Sequence, residues 1–298
     1  MNGLILLLAC SFAADPAWAH SGHVLDAHWN WDFWVVLPLA VAAGLYVQGV
    51  RNLWARAGRG RGIRISRALA FAAGWLLLAG AVVSPLHALG QQLLTAHMIE
   101  HEILMAAAAP LLAFSRPIGA LLWALPQNLR LRLVAAARCR PVARSWHVLM
   151  APFVATVLHG VAIWFWHAPP LFEAALVDPA LHRLQHLSML SSALLFWWAL
   201  VRLPKYEYGL AAAQLFVTMI HTGLLGALIT LSPRILYPLQ TGHALLWGLR
   251  PIEDQQLAGL LMWVPAGIVY LGAALAMVAM WLARSSATAF RGGELAPR

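Results

Sequence analysis

Residues 210–232 read LAAAQLFVTMIHTGLLGALITLS and contain no Lys, Arg, Asp or Glu. A transmembrane helix needs about 20 consecutive, mostly apolar residues, and this stretch meets that requirement. Similar runs recur along the chain, which is 61% hydrophobic, only 10% charged, and has a mean hydropathy of +0.71. Soluble domains carry about 25% charged residues. The sequence therefore predicts an all-α membrane protein.

Seven apolar spans are predicted along the chain. They cover approximately residues 33–50, 68–88, 93–114, 148–168, 181–202, 210–232 and 256–283. Each span is expected to be helical, because the bilayer core offers no water to satisfy an open backbone. The predicted fold is one polytopic transmembrane bundle of seven helices over residues 33–283.

The N-terminal segment is predicted to be a cleaved signal peptide, residues 1–19. Leu4 to Ala14 is apolar but too short to span, and Ala17-Trp18-Ala19 fits a small-x-small cleavage site. Residues 20–32 then form an outer, His-rich tail, and residues 284–298 a cytoplasmic tail. Cleavage leaves Cys139 as the one thiol of the mature chain, which excludes an internal disulfide and a CxxC metal site.

Lys and Arg are distributed unevenly between the loops. Of the 20 in the chain, 17 fall on one side of the predicted spans, mostly in segments 51–67 and 115–147. The positive-inside rule assigns that side to the cytoplasm. We therefore expect a bacterial inner (plasma) membrane protein with a periplasmic N-terminus. The net charge of +9 then reflects topology and contact with membrane lipid, rather than a nucleic-acid partner.

Histidines collect on the opposite, outer side, where ten of the 13 are expected. His97 and His101 are four residues apart and share one helix face, and His182 and His186 repeat that spacing on the fifth span. Imidazole suits first-row metals, copper among them. The two pairs predict one metal site near the outer surface, with His167 as a further ligand.

Other polar or soft side chains are expected to support this site. Five helices are expected to direct such groups at one interior volume, and the outer tail adds more. The supporting candidates are His20, His23, Glu100, His159, His221, Asp254 and Met262. Any single histidine is equally compatible with a hydrogen bond between packed helices, so a metal-free scaffold stays open.

An enzyme is the alternative interpretation. His97-Met98-Ile99-Glu100-His101 reads as H-x-x-E-H, in which two histidines bind zinc and the glutamate is the general base. A membrane-embedded metallohydrolase would use these three polar residues. With only three fixed positions the motif arises readily by chance, so the favoured interpretation assigns no catalytic residue. Histidine pairs one turn apart also disfavour two stacked haems, which need pairs about four turns apart.

Three sequence blocks resemble the polytopic, caa3-type CtaG family of cytochrome c oxidase assembly factors. The blocks are His97-Met98-Ile99-Glu100-His101 with Ala109-Pro110-Leu111-Leu112, Trp166-His167-Ala168-Pro169 with Gln185-His186-Leu187-Ser188, and Asp254-Gln255-Gln256-Leu257 with Met262-Trp263-Val264-Pro265. The resemblance implies a factor needed to form active oxidase, in connection with its copper centres. Its expected partners are oxidase subunits and a periplasmic copper donor. Gln185 stands where the family often has Glu, which argues against an essential carboxylate there.

Overall fold

The computed structural model describes residues 28–293, and every regular element in that range is a helix. The segment predicted as a signal peptide, and His20 and His23, lie outside the described residues. The helices are α1 Phe33–Ala57, α2 Ile65–Val83, α3 Pro85–Gly90, α4 Leu94–Ser115, α5 Ile118–Ala124, α6 Gln127–Arg138, α7 Arg140–Leu149, α8 Pro152–Trp166, α9 Pro169–Val177, α10 Pro179–Val201, α11 Tyr208–Leu231, α12 Pro238–Thr241 and α13 Pro251–Gly293.

Six of the described helices are long and apolar enough to cross a membrane: α1, α2, α4, α10, α11 and α13. The bent pair α7 and α8 supplies a seventh crossing if the two are taken as one span. The all-helical architecture predicted from the sequence is therefore confirmed for the described residues, with six candidate membrane spans by length and composition and a seventh if the bent pair is one span. The predicted span 148–168 falls mostly on α8, and the bend of the pair lies near its start. Helices α7 and α8 meet at 69°, because Pro152 forces Ala151 into an extended conformation.

The second span also ends earlier than residue 88. Helix α2 stops at Val83, and Ser84 is extended with φ −73° and ψ 171°. Pro85 explains the break, since proline disfavours helical geometry at the residue before it. The Ser84 hydroxyl then accepts a hydrogen bond from Leu86 N at 3.3 Å and starts the short helix α3. This break detaches His87 from the membrane span and places it on α3.

Helix α4 contains a π-helical segment over Ile103–Ala108. Ala109 N–H bonds to the carbonyl of Leu104, so the next carbonyl, that of Met105, would need an N–H from Pro110. Proline has none. The indole N–H of Trp197 donates to the Met105 carbonyl instead, at 2.9 Å. The irregular turn is thereby fixed to α10, and π segments of this kind are frequent at functional sites.

Helix α4 occupies the middle of the bundle, packed against α2, α10 and α13. Asp254 near the start of α13 caps it: the two carboxylate oxygens accept from Leu94 N at 2.8 Å and Thr95 N at 2.9 Å. At the same end, Asp32 ahead of α1 pairs with Arg183 of α10 at 2.9 Å. The starts of α1, α4, α10 and α13 are thus tied together around one end of the bundle.

Candidate metal centre

Six histidines meet at this end of the bundle, and we call them the histidine cluster. They are His87 of α3, His97 and His101 of α4, His167 after α8, and His182 and His186 of α10. The i,i+4 pairs lie side by side, with ring centroids 4.3 Å apart in α4 and 4.4 Å apart in α10. His101 and His186 link the two helices, with ring centroids 5.1 Å apart.

Two sets of three histidines have the spacing of metal ligands. In the surface triad, His87, His182 and His186 each offer one ring nitrogen, and these atoms lie within 4.8 Å of one another. In the inner triad, His97, His101 and His186 meet the same condition. His186 belongs to both. Among the described residues, the cluster therefore contains two overlapping candidate metal positions.

Hydrogen bonds to the Nδ1 atoms leave the Nε2 atoms available as ligands. Nδ1 of His97 lies 3.3 Å from the Gly90 carbonyl, and Nδ1 of His167 lies 2.7 Å from the Ile163 carbonyl. A carbonyl oxygen can only accept, so each Nδ1 carries the proton and each Nε2 has a lone pair. A hydrogen bond from the ring nitrogen that does not bind the metal is the usual way in which proteins orient a metal-binding imidazole.

Five buried Nε2 atoms of the cluster have no hydrogen-bond partner among the described residues. They belong to His97, His101, His167, His182 and His186. A buried polar atom without a partner costs about 1–3 kcal/mol. Five convergent lone pairs are therefore an expensive arrangement for a packing interface, and a bound cation would satisfy them.

Glu100 lies between the histidines and is completely buried. Its Oε1 atom is 2.9 Å from Nδ1 of His87 and 3.5 Å from Nδ1 of His186. Burial alone would lower the pKa of His87, but the hydrogen bond and the charge of Glu100 outweigh burial and raise it above its ordinary value. The carboxylate thus contacts two ligands of the surface triad and one of the inner triad, while its Oε2 atom has no hydrogen-bond partner among the described residues.

The sequence profile of the family described as cytochrome c oxidase caa3 assembly factor (Caa3_CtaG) matches residues 44–284, most of the chain. This chain belongs to the caa3-type cytochrome c oxidase assembly factors. The family resemblance seen in the sequence blocks is therefore confirmed, and the matched range contains the whole histidine cluster. No curated protein and no solved structure matches the chain.

Several groups that support the cluster in this assembly factor were not anticipated from the sequence. The Gly90 carbonyl, which orients His97, also accepts from the Gln240 side-chain amide. Phe172 of α9 covers His97, with ring centroids 4.9 Å apart. Tyr237 donates its hydroxyl to the backbone carbonyl of His167 at 2.7 Å. These contacts come from segments far apart in the chain, so no local pattern could reveal them.

His87 itself was absent from the predicted ligands, because it was read as the end of the second span. The signal that could have identified it is Ser84-Pro85, which marks a helix break just before it. His167, by contrast, was predicted, and its ring lies 5.9 Å from that of His101. Burial lowers its pKa to about 4, partly offset by the hydrogen bond to Ile163. It is therefore a neutral imidazole over the physiological pH range.

Four of the predicted supporting residues have their described contacts outside the cluster. Asp254 uses both carboxylate oxygens to cap α4. His159 lies eight residues before His167 on α8, about 12 Å along the helix axis. The other two are His221, whose buried ring nitrogens have no hydrogen bond, and Met262 in the apolar core. The expectation that all these groups share one volume with the cluster stays a prediction.

His159 belongs to a second polar group deeper in the bundle. Its Nδ1 atom is 3.2 Å from the Ser192 hydroxyl, and its Nε2 atom is 3.4 Å from the Tyr270 hydroxyl. Both ring nitrogens therefore have partners on neighbouring helices, α10 and α13. This is the interhelical hydrogen bonding that the sequence analysis kept open as an alternative for any single histidine.

Proposed function

We propose that this assembly factor binds copper in the histidine cluster and presents it to a subunit of cytochrome c oxidase. The observation that carries the proposal is the convergence of five buried Nε2 atoms without hydrogen bonds. Imidazole is the commonest metal ligand in proteins, and it binds copper well. Membership of an oxidase assembly family supplies the recipient, since the oxidase is the complex that the family helps to form.

The charges of the cluster favour Cu(I) as the bound form. The imidazoles bind in their neutral state and import no charge, and among the described residues Glu100 is the carboxylate in contact with them. A monovalent cation beside a single carboxylate leaves the site neutral overall. A divalent ion would leave a net positive charge buried at the membrane, which is costly.

The proposed orientation places the cluster at the periplasmic side of the inner membrane. The start of α1 lies beside the start of α10 through the Asp32–Arg183 pair, at the end of the bundle that holds the cluster. The arginine-rich loop between α1 and α2 lies at the far end of α1, about 37 Å away along a helix of 25 residues. The positive-inside rule assigns that far end to the cytoplasm. A periplasmic donor could then load the site directly.

A membrane metallohydrolase is the second candidate, because the inner triad contains the two histidines of the H-x-x-E-H motif. Glu100 Oε2 has no partner and could act as a general base. The contacts of Oε1 with His87 and His186 support a different role, that of orienting the ligands. A metal-free scaffold would leave the unpartnered nitrogens without a compensating interaction.

Complementation of a deletion strain tests the proposal. The variant His97→Gln/His101→Gln should insert at the normal level but yield oxidase that lacks copper and activity. His147→Ala is the matched control, because His147 is exposed and lies on α7, outside the cluster. Gln fills nearly the same space as His, so thermal unfolding of the purified variant can separate lost binding from lost folding. Oxidase with its normal copper content in the double variant would refute copper delivery by this cluster.

A further inference from the structure

His186 is common to both triads, and this fixes how many ions the pair can hold. Its Nδ1 atom faces Glu100 Oε1 at 3.5 Å, while its Nε2 atom is buried and has no hydrogen bond. A carboxylate oxygen can only accept, so the proposal places the proton of His186 on Nδ1, which leaves the neutral ring one lone pair, on Nε2. One lone pair binds one metal ion at a time. The surface triad and the inner triad therefore cannot both be complete in the same molecule.

The two triads differ in their access to solvent. His87 and His186 have side chains that are 12% and 11% exposed. His97 and His101 are only 2% and 1% exposed. His97 is further covered by Phe172. An ion arriving from outside meets the surface triad first, and the inner triad offers a drier site behind it.

The triads are also close enough for a metal ion to pass directly from one to the other. The rings of His97 and His182 have centroids 5.5 Å apart, and those of His87 and His182 are 5.3 Å apart. The ligand atoms within each triad lie within 4.8 Å of one another, and His186 contributes to both triads. An ion moving from one triad to the other would travel only a few ångströms and would stay bound to His186.

We propose that copper is loaded at the surface triad and passes to the inner triad by ligand exchange around His186. This inference rests on the proposed copper function. The bonds to His87 and His182 break, bonds to His97 and His101 form, and the bond to His186 is retained. The ion stays Cu(I) throughout, so no electron is transferred. Copper binding at Nε2 of His87 displaces the Gln91 side-chain amide, which lies 3.5 Å from that atom, and releases a proton to solvent when the ring is an imidazolium. The other ligands bind as neutral imidazoles and release no proton.

Glu100 is placed to balance the charge of the ion in both triads. Its Oε1 atom contacts Nδ1 of His87, a ligand of the surface triad alone, and of His186, the ligand of both triads. Its negative charge therefore lies beside the ion in either position, and the exchange does not require charge to move into an uncompensated environment. For release, the same ligand exchange runs in reverse. It returns the ion from the inner triad to the surface triad, where an acceptor protein can reach it.

Two double variants separate the triads. His87→Gln/His182→Gln removes two ligands of the surface triad, and His97→Gln/His101→Gln removes two ligands of the inner triad. Each purified protein is titrated with Cu(I) under a competing chelator, followed by X-ray absorption for the number of nitrogen ligands and by stopped-flow mixing for loading and release. Thermal unfolding of the metal-free proteins checks that each variant is folded.

The proposal predicts one ion per molecule for the parent protein and for both variants. The surface-triad variant should load and release copper about tenfold more slowly or worse, while keeping an inner site with about the original affinity. The inner-triad variant should load at the original rate and release copper faster. Two ions per molecule in the parent protein, or unchanged loading in the surface-triad variant, would overturn the exchange but leave copper binding intact. A parent protein that binds no copper would refute the proposed function as well.

Discussion

The Oε1 atom of Glu100 lies 2.9 Å from the Nδ1 atom of His87, which joins the central helix α4 to the short helix α3. The contact depends on the break at Ser84-Pro85, because a continuous second span would not place His87 on α3. Gly90 leaves room for it: a Cβ atom there would lie 3.1 Å from Glu100 Oε2. The carboxylate, the imidazole and the glycine therefore form one local arrangement that supports the cluster.

The variant Glu100→Gln tests whether this carboxylate orients metal ligands. It should lower the affinity for Cu(I) by about 10–100-fold, the usual effect of removing a group that positions a metal-binding histidine. Copper titration against a competing chelator measures it. Glu102→Gln is the matched control, because Glu102 lies on the same helix two residues on but has no contact with the cluster among the described interactions.

The same variant separates copper delivery from hydrolysis. Loss of a general base typically costs 10²–10⁴-fold in rate and leaves the metal bound. If Glu100→Gln retained its full copper affinity while a hydrolytic activity of the purified protein disappeared, the enzyme interpretation would replace copper delivery.

Asp254 should prove important for stability rather than for coordination. Asp254→Ala removes both hydrogen bonds to the first turn of α4 and should lower the free energy of unfolding by about 2 kcal/mol. Thermal unfolding in detergent measures this change. Glu253→Ala is the control, because the neighbouring Glu253 is partly exposed and its described pairing is local, with Arg250.

Saturating copper distinguishes capping from ligation in the Asp254→Ala variant. A capping role predicts that the variant still binds the same number of ions at saturation, with the same nitrogen ligands in X-ray absorption. An oxygen ligand that disappears from the X-ray absorption spectrum of the variant would show instead that Asp254 coordinates the metal.

The i,i+4 pattern predicted where the α4 and α10 pairs would lie, because helical periodicity alone sets which residues share a face. His97 and His101 neighbour each other in the structure, as do His182 and His186. The apolar runs likewise predicted the spans. Both are local properties, and a sequence displays local properties directly.

Contacts between helices far apart in the chain, and breaks within helices, could not be predicted as well from the sequence. Asp254 is predicted from the sequence to support the site, yet its carboxylate caps a helix that begins 160 residues earlier. Helix periodicity states which residues share a face but not which neighbour that face meets. The break at Pro85 was missed, so His87 was assigned to a span.

Close packing of α11 and α13 provides a further prediction. A Cβ atom at Gly259 would lie 2.6 Å from the Gly226 carbonyl oxygen, a backbone atom that cannot move aside. Small residues allow such approaches between membrane helices. Gly259→Ala should therefore destabilise the protein by about 1–3 kcal/mol in thermal unfolding.

The glycine at position 272 of the same helix is the control. A Cβ atom there has no neighbour within 4 Å, so Gly272→Ala should be neutral or stabilising by up to about 1 kcal/mol. Equal effects of the two substitutions would show that the helices are not in close contact at Gly259.

Orientation is tested by reporter fusions. An alkaline phosphatase fused after the C-terminus should be inactive, and a green fluorescent protein at the same position should fluoresce, because the positive-inside rule assigns that end to the cytoplasm. A phosphatase inserted in the loop between α12 and α13, near the cluster, should be active. The reverse pattern would place the histidine cluster in the cytoplasm and exclude loading from the periplasm.

Metal analysis of protein purified without chelators tests the central claim most directly. The parent protein and the quadruple variant of His97, His101, His182 and His186, each changed to Gln, are compared for copper content and X-ray absorption after equal exposure to Cu(I). The account predicts one copper ion per parent molecule, bound by imidazole nitrogens, and none in the quadruple variant. Equal copper content in both proteins, or none in the parent, would contradict it.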